Sequence, residues 1–373
     1  METPATTNAI ATPRIPDAAL GKLQLEAGAS MGAWFGCAVP SDFGNPAAEY
    51  RYANQSVALL DKNYRAYLSF AGPDRIRYLN AILTNNIKDL AAGQGIISLL
   101  LNPQGHILAE LETYAFADRH LCVSYAMTRE QLISWMDKYI IMDDVTLTDE
   151  TECWGALAVE GPQAAAVARQ VSGVDVTSQD ELFSVNGTAG AIPCRVVKRS
   201  PGGVPGAEFV VARNQLASFW LTLLETVRKH GGGPAGYTAL SAQRLAQGAP
   251  WFGYDFGEKQ IPHEAGLENS HISYIKGCYT GQEIVERVRS RGHVNRRRVN
   301  LLFTGDAIPE AGAALTAADG KEAGYVTRAA RIWDPPRIIG MGYLGTGYLR
   351  EGPESPGATL EWSGGTAAVV SIP

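Results

Sequence analysis

The chain has 373 residues, 46% of them hydrophobic and 19% charged, with a formal net charge of −6. That length and composition suit a soluble globular protein with two or three real cores. The acidic balance argues against nucleic-acid binding by the surface at large, and no stretch approaches the roughly 20 apolar residues of a membrane span.

Five cysteines, at 37, 122, 153, 194 and 278, are odd in number, widely spaced and without a Cys-x-x-Cys. They fit neither a disulfide scaffold nor a zinc site, so no metal is expected and the reducing cytoplasm is the natural compartment. Residues 1–40, rich in Ala, Thr, Pro and Gly, carry no secretory or transit signal and are expected to form a mobile extension.

Regular structure begins after Pro40. Ala66 to Phe70 is β-like, and Gly72-Pro73-Asp74 opens a helix with Ile76, Leu79 and Leu83 on one side. Gly95 to Leu101, a turn at 102–105, Ile107 to Phe116 and Leu121 to Tyr125 predict an antiparallel meander. Thr128 with Gln131 predicts a capping box for a helix carrying Leu132, Trp135, Met136 and Tyr139. A second unit begins near Thr151, with a strand at Ala156 to Val159 and a helix after Gly161-Pro162. Strands at 194–198 and 208–211 flank a glycine-rich loop, 200–206, that lacks the Gly-Lys-Ser/Thr of a phosphate-binding loop. Leu216, Phe219, Trp220, Leu223, Leu224 and Val227 form the apolar stripe of a long helix ended by Gly231-Gly232-Gly233-Pro234. Thr238 is expected to cap the next helix, before two loops that mix aromatic and acidic residues, 250–256 and 261–268. Short strands and an Asp319-Gly320 hairpin signal beyond Asn300 predict a small β-barrel or sandwich.

Lys276-Gly277-Cys278-Tyr279-Thr280-Gly281-Gln282-Glu283 concentrates an ammonium, a thiol, a phenol, an amide and a carboxylate between glycines. Thr280 and Glu283 have capping-box spacing, so Cys278 is expected just before a helix N-terminus, where the helix dipole and Lys276 both favour a reactive thiol. Arg287 to Arg298 follows as a basic run, read as a seat for an anion with a solvated face or contact with RNA as alternatives.

This octapeptide, continued by Ile-Val-Glu-Arg, resembles the signature of the YgfZ family, folate-binding proteins of iron–sulfur cluster metabolism related to the glycine-cleavage T-protein. The resemblance implies an α+β fold: two interleaved sheet-plus-helix units around a central folate cleft, followed by a C-terminal β-barrel. Its boundaries would be 41–298 for the folate-binding region, divided into 41–150 with 236–298 and 151–235, and 299–373 for the barrel. It implies tetrahydrofolate as cofactor, with Glu208, Arg244, Asp255, Glu264, Tyr279, Gln282 and Glu283 around it. Cys278 and Lys276 are then the chemically active pair.

Two functions follow from the resemblance. The first is a tetrahydrofolate-binding accessory protein for iron–sulfur cluster assembly or repair, partnered by iron–sulfur proteins or cluster carriers. The alternative is a folate-dependent aminomethyltransferase or demethylase. T-proteins carry an Asp-Asp pair after a Gly-Gly turn, whereas Gly105 to Glu110 of this chain puts Ala109 and Glu110 there, which weakens the transferase expectation and leaves open whether the protein is an enzyme. RNA is an unlikely partner, since no RNA-binding motif is present.

Overall fold

The computed structural model describes residues 13–14, 16–349 and 359–371. Two open sheets and a closed barrel account for most of it. The first sheet orders Gly95–Leu101, Ile107–Ala115, Arg119–Tyr125, Arg65–Ala71 and Thr146–Asp149. Helices Arg75–Ile82 and Arg129–Asp137 cover one face, where Phe70, Leu79, Leu111, Leu132 and Met136 make a dry core. The second sheet orders Ser184–Ala189, Ile192–Lys198, Gly206–Ala212, Trp154–Glu160, Ala58–Asp61 and Gly233–Pro234. Its core of Leu157, Val167, Phe209, Phe219 and Leu223 is closed by helices Ala164–Ser172 and Leu216–Lys229.

The chain passes from one sheet to the other within three residues. Ala58–Asp61 lies in the second sheet and Arg65–Ala71 in the first. Asp61 makes the change of direction by accepting from the backbone and side-chain nitrogens of Asn63 at 2.8 and 2.7 Å, an aspartate-closed turn. The expected interleaving is therefore realised at Lys62-Asn63-Tyr64, which stands between the sheets.

Several local expectations are corrected. Residues 1–12 lie outside the described residues, but within the supposed mobile extension Asp17 caps helix Ala18–Glu26, accepting from Leu20 N at 2.8 Å. Strands Ser30–Trp34 and Cys37–Asp42 then form a hairpin that inserts Phe35 among Tyr64, Tyr125, Tyr237 and Trp251. The hydroxyl of Thr128 bonds to the carbonyl of Tyr125 rather than capping a helix. Helix Tyr237–Ala246 starts after Gly236, not at Thr238. There an added Cβ would lie 2.3 Å from the Ser41 backbone, so close packing against the hairpin demands glycine.

The barrel closes through Arg296–Phe303, Pro336–Gly345, Glu322–Trp333, Ala314–Thr316, Thr359–Trp362 and Gly365–Val370. Asp255, with a fully buried side chain, ties it to the body by accepting from Arg328, from Thr327 Oγ1 at 2.9 Å and from Trp251 N at 2.8 Å. The Arg328 guanidinium also lies 4.2 Å over the Trp251 ring. Removing one partner of such a pair strands the other charge without water. Asp255→Ala is expected to lower unfolding stability by about 3–5 kcal/mol in denaturant titration, with the barrel tryptophans Trp333 and Trp362 becoming solvent-exposed before the body unfolds.

Candidate functional site

Lys62, Tyr64 and Arg65, delivered by the crossing between sheets, border a central cavity of about 70 Å³. Glu110, Glu112 and Tyr125 reach it from the first sheet, Glu208 from the second, and Arg244 from helix Tyr237–Ala246. Of two larger hollows, the one of about 390 Å³ beside Trp154 has arginines without a carboxylate in its lining, and the one of about 690 Å³ beside Tyr254 has Glu258, Lys259 and Arg296 that are exposed or half-buried. Convergent buried charge makes the small cavity the candidate site.

Its charges interlock. Arg65 donates to Glu112 at 3.2 Å and to Glu208 at 2.8 Å, linking the two sheets, and Arg199 Nε adds a bond to Glu112 at 2.9 Å. Burial alone would raise the Glu112 carboxyl, but the two guanidiniums outweigh it and hold it at about 2. Beside them Glu160 accepts from Lys62 at 3.0 Å and from Arg244. Burial again pushes upward, and Arg244 and Lys62 bring Glu160 down to about 2.

Glu110 is held differently. Tyr125 Oη donates to its Oε2 at 2.8 Å, and His271 Nε2 lies 3.0 Å from its Oε1. No Lys or Arg comes within ion-pair distance of it among the described residues. Burial, with the Glu110 charge second, keeps Tyr125 far above the usual phenol range, so it remains an O–H donor.

Strand parity explains how Glu110 arrives there. Along Ile107–Ala115 successive side chains point to opposite faces. Ala109 and Leu111 pack in the apolar core under helices Arg75–Ile82 and Arg129–Asp137, whereas Glu110 and Glu112 border the cavity. Of an acidic pair at 109 and 110, only the second would face the cavity. The loss at Ala109 therefore removes no carboxylate from the site.

The expected site residues divide sharply. Glu208 and Arg244 border the cavity, whereas Asp255 latches the barrel and Glu264 accepts from Arg296 of the first barrel strand at 3.2 Å. Arg298 likewise donates to the carbonyl of Ala265 at 2.8 Å, while Arg287 and Arg289 pair with Glu283 and Glu286 on the surface. The basic run is thus divided between barrel docking and solvent, not gathered as one anion seat.

The octapeptide buttresses the site from behind. Lys276 donates to the carbonyls of Asn80, Leu83 and Asn85, spending all three ammonium hydrogens at the end of helix Arg75–Ile82. It is unavailable to activate Cys278, which is exposed. Burial lowers the Lys276 ammonium to about 8. Tyr279 is buried and Glu283 exposed, and neither they nor Gln282 border the cavity. The helix begins at Gln282 behind Gly281, whose φ is 81°. A Cβ on Gly281 would lie 2.6 Å from the carbonyl of Asn102, and one on Gly105 would lie 2.9 Å from Ile284. The glycines let this loop nest against the 102–105 turn that precedes Glu110. Among the described residues no cluster of His, Cys, Asp or Glu could hold a metal ion.

Lys62, Arg65, Glu160, Arg199 and His271 were not among the expected site residues. Glu110 and Glu112, two apart on a strand otherwise rich in apolar residues, were the available signal for a polar face. His271 has no local signal, because its partner is 161 positions away.

Glu112 and Glu160 both sit below their ordinary range. Their stabilisation is therefore complete above the unfolded carboxyl pKa of about 4.3 and is lost as pH falls towards 2. Thermal melts from pH 7 to pH 2.5 should show a steep acid loss below about pH 4.3 in the wild type. Glu160→Gln should lose about 3–5 kcal/mol at neutral pH and show a shallower acid slope.

The GCVT N-terminal domain family model matches residues 20–270, well over half of the chain. An aminomethyltransferase of Streptomyces avermitilis is 23% identical over 95% of this chain and 96% of its own length. An aminomethyltransferase of Bdellovibrio bacteriovorus is 26% identical over 88% and 90%. In fold, the glycine cleavage system aminomethyltransferase T of Bartonella henselae superposes with a TM-score of 0.85 at 22% identity, covering 96% of this chain and 97% of that one. No helix among the described residues is long and apolar enough to cross a membrane. The chain belongs to the GCVT family.

Proposed function

We propose that the protein is a folate-dependent aminomethyltransferase, with Glu110 as the group that handles the proton of the folate nitrogen. The observation that carries this reading is the placement of Glu110 on the cavity-facing side of its strand, held by Tyr125 and His271 with no Lys or Arg within ion-pair distance among the described residues. Arg and Lys hold the Glu112 and Glu160 carboxyls low, which makes them poor bases, and Glu208 is paired with Arg65. Glu110 is free of that burden, as a general base requires.

An accessory role in iron–sulfur assembly is corrected by the comparisons: aminomethyltransferases match this chain nearly end to end. The exposed Cys278 also has no cluster-ligating companions among the described residues. The octapeptide supports placing the chain in a YgfZ-like branch of its family, with a scaffolding role for the motif.

Proteins of this family use tetrahydrofolate. Its two ring-side amine nitrogens accept the carbon of an aminomethyl sulfide; two C–N bonds form, the donor's C–N and C–S bonds break, and the two N–H protons leave with ammonia and the thiol. The donor set fits this ligand. Glu208 Oε1 takes no hydrogen bond among the described residues, while Oε2 is bound to Arg65. A carboxylate with a free oxygen suits the ring N–H and amino group of a pterin. Tyr64 and Trp251 offer flat apolar walls. Glu110 holds a proton between its loss from nitrogen and its delivery to a leaving group. A cavity of about 70 Å³ is smaller than a two-ring ligand, so entry requires the loop 200–205 to swing away. That loop borders the cavity through Pro201, where its carbonyl accepts from Arg244 at 3.3 Å.

Single-turnover transfer from an aminomethylated lipoyl carrier to tetrahydrofolate tests the reading. Glu110→Gln should slow transfer by about 10²–10⁴-fold while calorimetry shows tetrahydrofolate affinity within about threefold of wild type. Glu208→Gln should weaken that affinity by about 10–100-fold, the worth of a hydrogen bond to a charged group. Cys278→Ser should transfer within about twofold of wild type, since an exposed side chain away from the cavity leaves the site intact. A wild-type rate retained in Glu110→Gln refutes the assignment.

A further inference from the structure

Behind Glu110 stands a histidine that the proposed reaction does not itself require. His271 is 6% exposed and is fixed by its own backbone, whose carbonyl accepts from Thr84 Oγ1 at 2.6 Å. Thr84 Oγ1 in turn accepts from Leu99 N at 2.8 Å, on the strand paired with the one that carries Glu110. The imidazole thus has a rigid mount on the first sheet.

Its tautomer follows from Ser270. The serine hydroxyl has two acceptors in reach, His271 Nδ1 at 2.7 Å and the Leu267 carbonyl at 3.4 Å. The shorter contact takes the hydrogen, which leaves Nδ1 accepting and places the ring hydrogen on Nε2. Nε2–H then donates to Glu110 Oε1. In this form the ring is neutral, and its contact with Glu110 is a hydrogen bond rather than an ion pair.

We infer that His271 is a pH-sensitive positioning residue for Glu110: neutral, it orients the carboxylate as a base; protonated, it turns the same contact into an ion pair and disables it. This inference rests on the aminomethyltransferase reading. The cavity supplies its own comparison. Glu112 and Glu160, each bonded to cations, are held at about 2. An imidazolium 3.0 Å from Glu110 would act on it in the same sense. The other charged groups around the cavity do not substitute for it. Lys62 and Arg244 are engaged by Glu160, and Arg65 and Arg199 by Glu112, with Glu208 sharing Arg65. Tyr125 stays a neutral donor. His263 bonds Tyr274 at 3.1 Å and is outside this chain of contacts. Of the side chains facing Glu110, His271 is of the one type whose charge ordinarily changes between pH 5 and pH 8.

The test is the pH profile of single-turnover transfer to tetrahydrofolate by the full chain. Wild-type rate should fall at least about tenfold between pH 8 and pH 5.5, well above the roughly 4.3 of an ordinary glutamate. His271→Gln, whose amide can donate to Glu110 but cannot acquire charge, should keep at least about a fifth of the pH 8 rate and lose less than about threefold by pH 5.5. His271→Phe removes the donor and should lower kcat at pH 8 at least about tenfold with KM for tetrahydrofolate within about threefold. Calorimetric tetrahydrofolate affinity of each variant reports whether the site has folded. An acid limb identical in wild type and His271→Gln overturns the inference while leaving the transferase reading standing. A wild type that transfers nothing at any pH overturns both.

Discussion

Arg65 is bound on one side by Glu112 of the first sheet and on the other by Glu208 of the second, and this buried bridge holds the two sheets at the spacing of the cavity. Glu160 with Lys62 and Arg244 makes a parallel tie to helix Tyr237–Ala246. Buried ion pairs are weak sources of net stability, because desolvation offsets most of the attraction. Their effect here is geometric. Each charge has one arrangement in which it is satisfied, so the sheets, the helix and the cavity wall are locked in register.

The same web gives the site its chemical contrast. Carboxylates that carry structure are bonded to guanidinium or ammonium groups and lose their basicity. Glu110 is bonded instead to a phenol and an imidazole. One cavity thereby contains both rigidly paired carboxylates and one without a cationic Lys or Arg partner, separated by partner type rather than by distance. The barrel contributes from outside: Arg328 and Asp255 close over Trp251, a wall of the cavity.

Much of the fold was legible in sequence because its signals are local. The meander from Gly95 to Tyr125, the apolar stripe from Leu216 to Val227 and the Asp319-Gly320 hairpin all appear within a residue or two of their expected places. The capping boxes at Thr128 and Thr280 failed because a spacing of three residues matches many turns, and tertiary contacts chose others. The octapeptide misled for a related reason. Its dense chemistry is spent on backbone carbonyls and on a close loop contact, which a sequence cannot distinguish from ligand chemistry. At Ala109 residue type alone points to a lost acid, whereas strand parity, itself readable from the sequence, decides which of positions 109 and 110 faces the cavity. His271 and Arg65 were beyond reach, since their partners lie far along the chain.

The central claim is that Glu110 and Glu208 face one ligand in one cavity. A crystal structure of the protein with tetrahydrofolate tests it most directly. The account predicts the pterin ring against Glu208 and Trp251, the 200–205 loop displaced, and Glu110 within hydrogen-bond reach of a folate nitrogen. Folate seated elsewhere on the molecule, or a cavity that stays closed at saturating ligand, would contradict it.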